Sequence, residues 1–373
     1  NILREFLTRS TQANRFNHKE IKEVMDLCLA CKGCKAECPS NVDVAKLKME
    51  FLYQYQKENG TPLRSWLVGH FASVSSYASR VPFLYNLVMG TPFLRRISNR
   101  MVGFHPERTM PLMAKQTLWS WLKGRKSIQS AKAVYLFVDE FTNFNDAEVG
   151  RKAVLLLEAL GYEVRTLQHP ISGRSFLSKG MLDEARNLAQ KNVELWSGLA
   201  SAETPLVGIE PSAILTFRDE YPDLVSDAWL EKALALSKNV LLLEEFIARE
   251  ADAKRIDAKA FSSEKKLLKL HGHCQQKSMS SLVAAKKALS LPANFEVQLI
   301  PSGCCGMAGS FGYEKEHYDL SMQIGELVLF PTVRSQPAEV EIVASGTSCR
   351  HQIHDGTQRH AKHTAEVLFE ALA

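Results

Sequence analysis

Four cysteines fall within eleven residues near the amino end, in Cys28-Leu-Ala-Cys31-Lys-Gly-Cys34-Lys-Ala-Glu-Cys38-Pro39. The spacing C-x2-C-x2-C-x3-C-P is one that gathers thiolates around a 4Fe-4S cluster. Two residues between neighbouring thiolates let three sulfurs converge on one face of a cube. Gly33 is expected to permit close backbone approach and a positive φ. Backbone N–H groups of the turn are expected to donate to the sulfurs, and Pro39 to redirect the chain. Cys28, Cys31, Cys34 and Cys38 are thus the expected cluster ligands, with a zinc knot or free thiols as the alternative. Where two such runs occur, the fourth Cys ligates the other cluster. One run is visible here. Either Cys38 closes its own cluster, or a first run precedes Asn1.

A second set comprises Cys274, the adjacent pair Cys304–Cys305 followed by Gly306, and Cys349. Adjacent thiolates point differently and can bridge or cap more than one metal atom. Cys274 follows a strand expected at 266–270, after His271-Gly-His273. Cys349 follows a strand expected at 341–344, through Ser345-Gly-Thr-Ser348. All three loops would then meet at the carboxyl end of one parallel sheet, where α/β folds build their sites. A metal or second cluster on Cys274, Cys304, Cys305 and Cys349 is the expectation. Buried structural cysteines or a Cys304–Cys305 redox pair are the alternatives. His271, His273, His351 and His354 lie beside these cysteines as candidate ligands or supporting donors. Taken singly, each reads more simply as a surface or core histidine. The glycines of Gly306-Met-Ala-Gly309-Ser-Phe-Gly312 do not follow the dinucleotide fingerprint.

Three kinds of region must position these residues. Residues 1–63 read as a helical 4Fe-4S domain, with a helix over Val42–Lys57 whose stripe is Val44, Leu47, Phe51 and Tyr55, capped by Ser40 or Asn41. Residues 64–130 form an aromatic, basic connector broken by Pro82, Pro92, Pro106 and Pro111. Its Trp66, Phe71, Phe83, Tyr85, Trp119 and Trp121 read as packing residues. Its most apolar stretch, 81–94, is too short to span a bilayer. Residues 131–253 and 254–373 alternate strand and helix patterns, as parallel α/β sheets do. They repeat each other: Gly161-Tyr-Glu-Val aligns with Asn294-Phe-Glu-Val, and Val207-Gly-Ile-Glu-Pro-Ser-Ala213 with Val343-Ala-Ser-Gly-Thr-Ser-Cys349. The first copy holds Phe141, Ile171, Ser172 and Ala213 at the cysteine positions, so no metal is expected there. The fold class is a helical ferredoxin-like domain followed by α/β, with two parallel-sheet units related by internal duplication.

The 373 residues carry 46 Lys and Arg against 41 Asp and Glu, a mild excess of +5. The excess is local: nine Lys and Arg between Arg95 and Lys132 face one acid, Glu107. That stretch reads as a solvated basic face, or as a docking surface for an acidic partner or anionic headgroups. No nucleic-acid module accompanies it. Residues 1–20 have no apolar centre of a signal peptide. The chain begins at Asn1, not Met, which suggests processing or a longer polypeptide. Clustered cysteines without a secretory signal fit a reducing compartment, so a cytoplasmic location is expected, with peripheral contact at the inner face of the membrane as an extension.

The run ending Cys38-Pro39-Ser-Asn-Val-Asp43, with Asp146-Ala-Glu-Val-Gly150, Gly208-Ile-Glu-Pro-Ser212, Cys304-Cys305-Gly306-Met-Ala-Gly309 and Thr347-Ser-Cys349-Arg350, resembles the iron–sulfur portion of FAD-linked 2-hydroxyacid dehydrogenases. Anaerobic glycerol-3-phosphate dehydrogenase C subunits and heterodisulfide reductase B subunits are similar. The resemblance covers nearly the whole chain. It implies electron relay from FAD, held in a flavoprotein part outside this chain, to an acceptor such as quinone. It also implies that this chain alone does not act on the hydroxyacid. Heterodisulfide reductase-like repeats hold non-cubane clusters with five cysteines. Here Cys274, Cys304, Cys305 and Cys349 match four, and the fifth position is Gln352. A four-cysteine cluster, zinc or an empty site therefore remain open. The alternatives to electron transfer are a zinc-stabilised docking scaffold and a thiol–disulfide oxidoreductase at Cys304–Cys305.

Overall fold

The computed structural model describes residues 2–373. Its first part is helical: Ile2–Arg9, Lys19–Asp26, Gly33–Glu37 and Val44–Asn59. Asp43, not Ser40 or Asn41, caps the last of these, its carboxylate accepting from Lys46 N–H at 3.1 Å. Asn41 stands at φ 54°, still inside the preceding turn. The buried face also differs from the expected stripe: Ala45, Met49, Phe51 and Leu52 are inward and Leu47 is exposed. The helix is wedged between two clusters. Met49 meets Phe176, Leu177 and Met181, while Phe51 and Leu52 meet Ile21. A helix gripped from two sides does not show one clean stripe.

The connector forms Leu63–Gly69, Phe71–Ala78, Pro82–Gly90, Pro92–Val102 and Leu118–Lys123. Pro82 and Pro92 each open a helix, where the missing N–H costs nothing. Tyr85, Trp119 and Trp121 pack inward, and Phe71 stacks on Phe141 at 5.3 Å. Phe83 is 80% exposed and Trp66 is also exposed, contrary to their reading as packing residues. The short helices have too little partner surface to bury both faces. Among the described residues, no helix is long and apolar enough to cross a membrane.

The rest contains two four-stranded sheets, each wholly parallel. The first joins β1 (Ala133–Phe137), β2 (Glu163–Arg165), β3 (Leu206–Gly208) and β4 (Val240–Leu242) in the order β2-β1-β3-β4. The second joins β5 (Lys266–His271), β6 (Phe295–Leu299), β7 (Glu341–Ala344) and β8 (Ala361–Lys362) in the equivalent order β6-β5-β7-β8. Before β4 the chain forms two helices in succession, Tyr221–Leu224 and Asp227–Ser237. One apolar core spans both sheets. Leu136 and Val207 of the first join Leu268 and Val343 of the second, through helices Ala147–Ala159, Leu243–Asp252, Val283–Leu289 and Thr364–Glu370. The carboxyl ends of β5 and β7 lie side by side, His271 paired with Ala344.

Candidate metal centre

In the amino-terminal run the backbone points N–H groups at sulfur. Val44 N–H donates to Cys34 Sγ at 3.4 Å. The N–H groups of Val42 and Ser40 hold the Cys38 thiol below its ordinary value. Burial raises Cys31, and the N–H of Gly33 works against it. Such donors favour the thiolate form that ligates metal. Positive φ falls on Ala30 and Lys32, at 50° and 61°, flanking Cys31. Gly33 instead opens the helix Gly33–Glu37. Its role is proximity: a Cβ there would lie 3.7 Å from Cys31 Sγ.

Lys32 anchors the run. Its side chain is 1% exposed and pairs with Asp43 at 3.2 Å, Glu220 at 2.9 Å and Asp219. Burial pushes this ammonium down, but Glu220 and Asp219 outweigh it and hold the charge. Lys35 and Lys46 also reach Asp219. The cysteine turn is thereby tied to the first α/β unit by charges withdrawn from water.

The second set stands at the carboxyl end of β5–β7, as its spacing implied. Cys274 opens the helix Cys274–Met279, and Cys349 lies in the first turn of Thr347–Thr357. Cys304 and Cys305 occupy the loop after β6. The thiols act on one another in sequence: Cys274 on Cys304, Cys304 on Cys305, Cys305 on Cys349. Cys304 and Cys349 are driven well below their ordinary values by these neighbours, while Cys274 and Cys305 are driven up. Ligand atoms of His271, Cys305 and Cys349 lie within 4.8 Å of one another, all three residues buried. So tight a grouping of three donors would suit a single ion, or an iron that takes more than one protein ligand. Soft thiolates with an imidazole fit zinc or iron–sulfur chemistry.

The two sets touch, which spacing alone did not indicate. Ser278 Oγ donates to the carbonyls of both Cys31 and Cys274, each at 3.0 Å. Gln275 reaches the Ala30 carbonyl at 3.5 Å. Support for Cys349 comes from the other half of the molecule. Glu210 accepts from Thr347 N–H at 2.8 Å, and Asp146 accepts from Thr347 Oγ1 at 2.6 Å and Arg350 at 2.5 Å. The separate sequence marks around Asp146, Glu210 and Thr347–Arg350 therefore meet at one place.

Other candidates turn elsewhere. Gln352 accepts from Arg108 at 2.8 Å and donates to the Ser321 carbonyl at 3.1 Å. Arg108 is fully buried, so it does not belong to a solvated basic face. His351 is taken by Thr109 at 2.9 Å and Tyr313 at 2.6 Å, and His354 stacks on His360. In the first half, Phe141 packs on Phe71, and Ser172 donates to Glu140 at 2.7 Å. A cavity of about 360 Å³ leads from Phe71, Tyr85, Met89 and Val102 of the connector to Cys305 and Cys349.

A profile described as a 4Fe-4S dicluster domain matches residues 3–43. The chain is 29% identical over 372 residues to D-2-hydroxyglutarate dehydrogenase of Escherichia coli, covering 96% of this chain and 35% of the relative. It is 24% identical over 341 residues to the C subunit of anaerobic glycerol-3-phosphate dehydrogenase from Escherichia coli, covering 90% of this chain and 83% of that one. Lactate utilization protein A of Bacillus subtilis is 26% identical over 249 residues, 63% of this chain and 98% of the relative. The chain thus spans about a third of the length of the D-2-hydroxyglutarate dehydrogenase it matches. With a 4Fe-4S domain at its amino end, it is an iron–sulfur protein whose homologues are D-2-hydroxyglutarate dehydrogenase, the C subunit of anaerobic glycerol-3-phosphate dehydrogenase and lactate utilization protein A, the kinship its cysteine motifs signalled.

Proposed function

We propose that this chain is the electron-transfer module of a flavin-linked 2-hydroxyacid dehydrogenase, passing electrons from FAD in a partner part to a downstream acceptor. The observation that carries the reading is the contact between the two cysteine sets through Ser278. Iron–sulfur centres seated there would supply one-electron chemistry. The chain's own residues hold thiolates ready through backbone N–H groups, keep the two ligand sets close, and exclude water from the inner one. Cys28, Cys31, Cys34 and Cys38 would hold a 4Fe-4S cluster. Cys274, Cys304, Cys305 and Cys349 would hold a second cluster or zinc. The shared strand order of the two sheets supports an origin by duplication, with ligation kept in the second copy.

The cavity supports an apolar acceptor of the quinone class, since it is lined by connector side chains and ends at the sulfurs. A peripheral membrane contact is favoured by the exposed Phe83, Phe93 and Met101 beside Arg96 and Arg100. Iron and acid-labile sulfide analysis of anaerobically purified protein tests the main reading. Both should be present in near equal amounts, and a Cys31→Ser, Cys34→Ser variant should lose the cubane share. Zinc without sulfide would instead support a scaffold that carries no electrons.

A further inference from the structure

We infer that Nε2 of His271 is a metal ligand alongside Cys305 and Cys349, and that Ser302 positions it. This rests on the reading of the second cysteine set as a metal or cluster site.

His271 ends β5 and is 1% exposed. Its Nδ1 lies 2.7 Å from Ser302 Oγ. Its Nε2 is buried with no oxygen or nitrogen partner, and the group the ring meets instead is the Cys349 thiol. A ring nitrogen so placed gives up its water without full compensation, so an arrangement that keeps it calls for a partner. The grouping within 4.8 Å supplies two sulfurs, Cys305 and Cys349. If Nδ1–H donates to Ser302, the lone pair sits on Nε2, the ring nitrogen left for a metal shared with those sulfurs. Ser302 is itself held: its carbonyl accepts from Lys277 Nζ at 2.8 Å.

The neighbouring alternatives are weaker. His273 also has an unpartnered Nδ1, but its Nε2 stands 4.0 Å from Glu210, and it is outside the tight grouping. Gln352, where a fifth thiolate would fall, is saturated by Arg108 and Ser321. An imidazole on β5 thus makes up the donor that the helix Thr347–Thr357 does not provide. Thiolate and imidazole together select a borderline-soft metal, zinc as a lone ion or iron at a histidine-bearing cluster corner.

Cobalt(II) is the probe. The full chain, purified anaerobically, is loaded with cobalt, and its visible spectrum and pulsed EPR are recorded against a Cys305→Ser control. The difference isolates the inner set from the amino-terminal run. The wild type should show thiolate charge transfer and coupling to one imidazole nitrogen. His271→Leu should lose that coupling and bind more weakly. His271→Cys should keep the metal, with stronger thiolate absorption and no nitrogen. Ser302→Ala should keep the nitrogen signal but lose roughly 10–100-fold in affinity. Circular dichroism confirms that each variant is folded. A nitrogen signal unchanged in His271→Leu would overturn the assignment. So would a loaded wild type with no nitrogen coupling, as expected if Nε2 carries the proton and donates to Cys349. If the wild type and Cys305→Ser take up cobalt identically, the metal-site reading itself fails first, and the histidine assignment with it.

Discussion

Gly306 follows the adjacent cysteines at φ +94°, and a Cβ there would run into the Ser321 carbonyl oxygen. Its N–H also points at Cys304 Sγ at 3.4 Å. Gly306→Ala should cost about 1–3 kcal/mol from backbone strain alone, read as a lower urea midpoint, and should weaken metal uptake because the loop aims both Cys304 and Cys305. At this scale the sequence was most informative where residue type and spacing act together. All eight cysteines were identifiable as two sets. The histidines were not separable, because His271, His273, His351 and His354 share proximity in the chain. What distinguishes His271 from His351 is that Ser302 holds one ring nitrogen and leaves the other open, whereas Tyr313 and Thr109 hold both.

Strands were legible where the apolar pattern is strong, as in β5 and β7. Helices were less so where one serves two cores, as Val44–Asn59 does, or where a backbone turn displaces the cap from Asn41 to Asp43. Long-range polar contacts left no local trace in the chain. One of these ties the residue before β2 to the helix Leu243–Asp252: Glu250 accepts from Tyr162 O–H at 2.7 Å, and a local partner, Arg255 Nε, adds to it at 2.6 Å. Burial pushes the Glu250 carboxyl up, but Arg255 and Tyr162 outweigh it and bring it to about 2. A carboxyl held below its ordinary 4.5 contributes fully above that value and loses its contribution as pH falls toward about 2. Thermal melts should show stability dropping across this window. Glu250→Gln should lower stability at pH 7 and flatten the acid decline.

For the whole molecule, the connector presents Leu63, Trp66, Tyr77, Phe83, Phe93 and Met101 to solvent. So many large apolar side chains exposed within one connector exceed the scattered exposure that needs no explanation. Vesicles containing phosphatidylglycerol should bind the chain at low salt. Phe83→Ser and Phe93→Ser should each weaken binding about tenfold or more, at about 1.5–3 kcal/mol per buried Phe. Failure to sediment with vesicles would overturn the membrane contact. The interdependence of the two sheets has a further outcome. Cys349 is seated by carboxylates that belong to the half without cysteines, through Glu210 and Asp146. A chain shortened to residues 254–373 would keep Cys349 but lose the two carboxylates that brace the turn around it, so the cysteine-bearing sheet depends on the sheet that carries none.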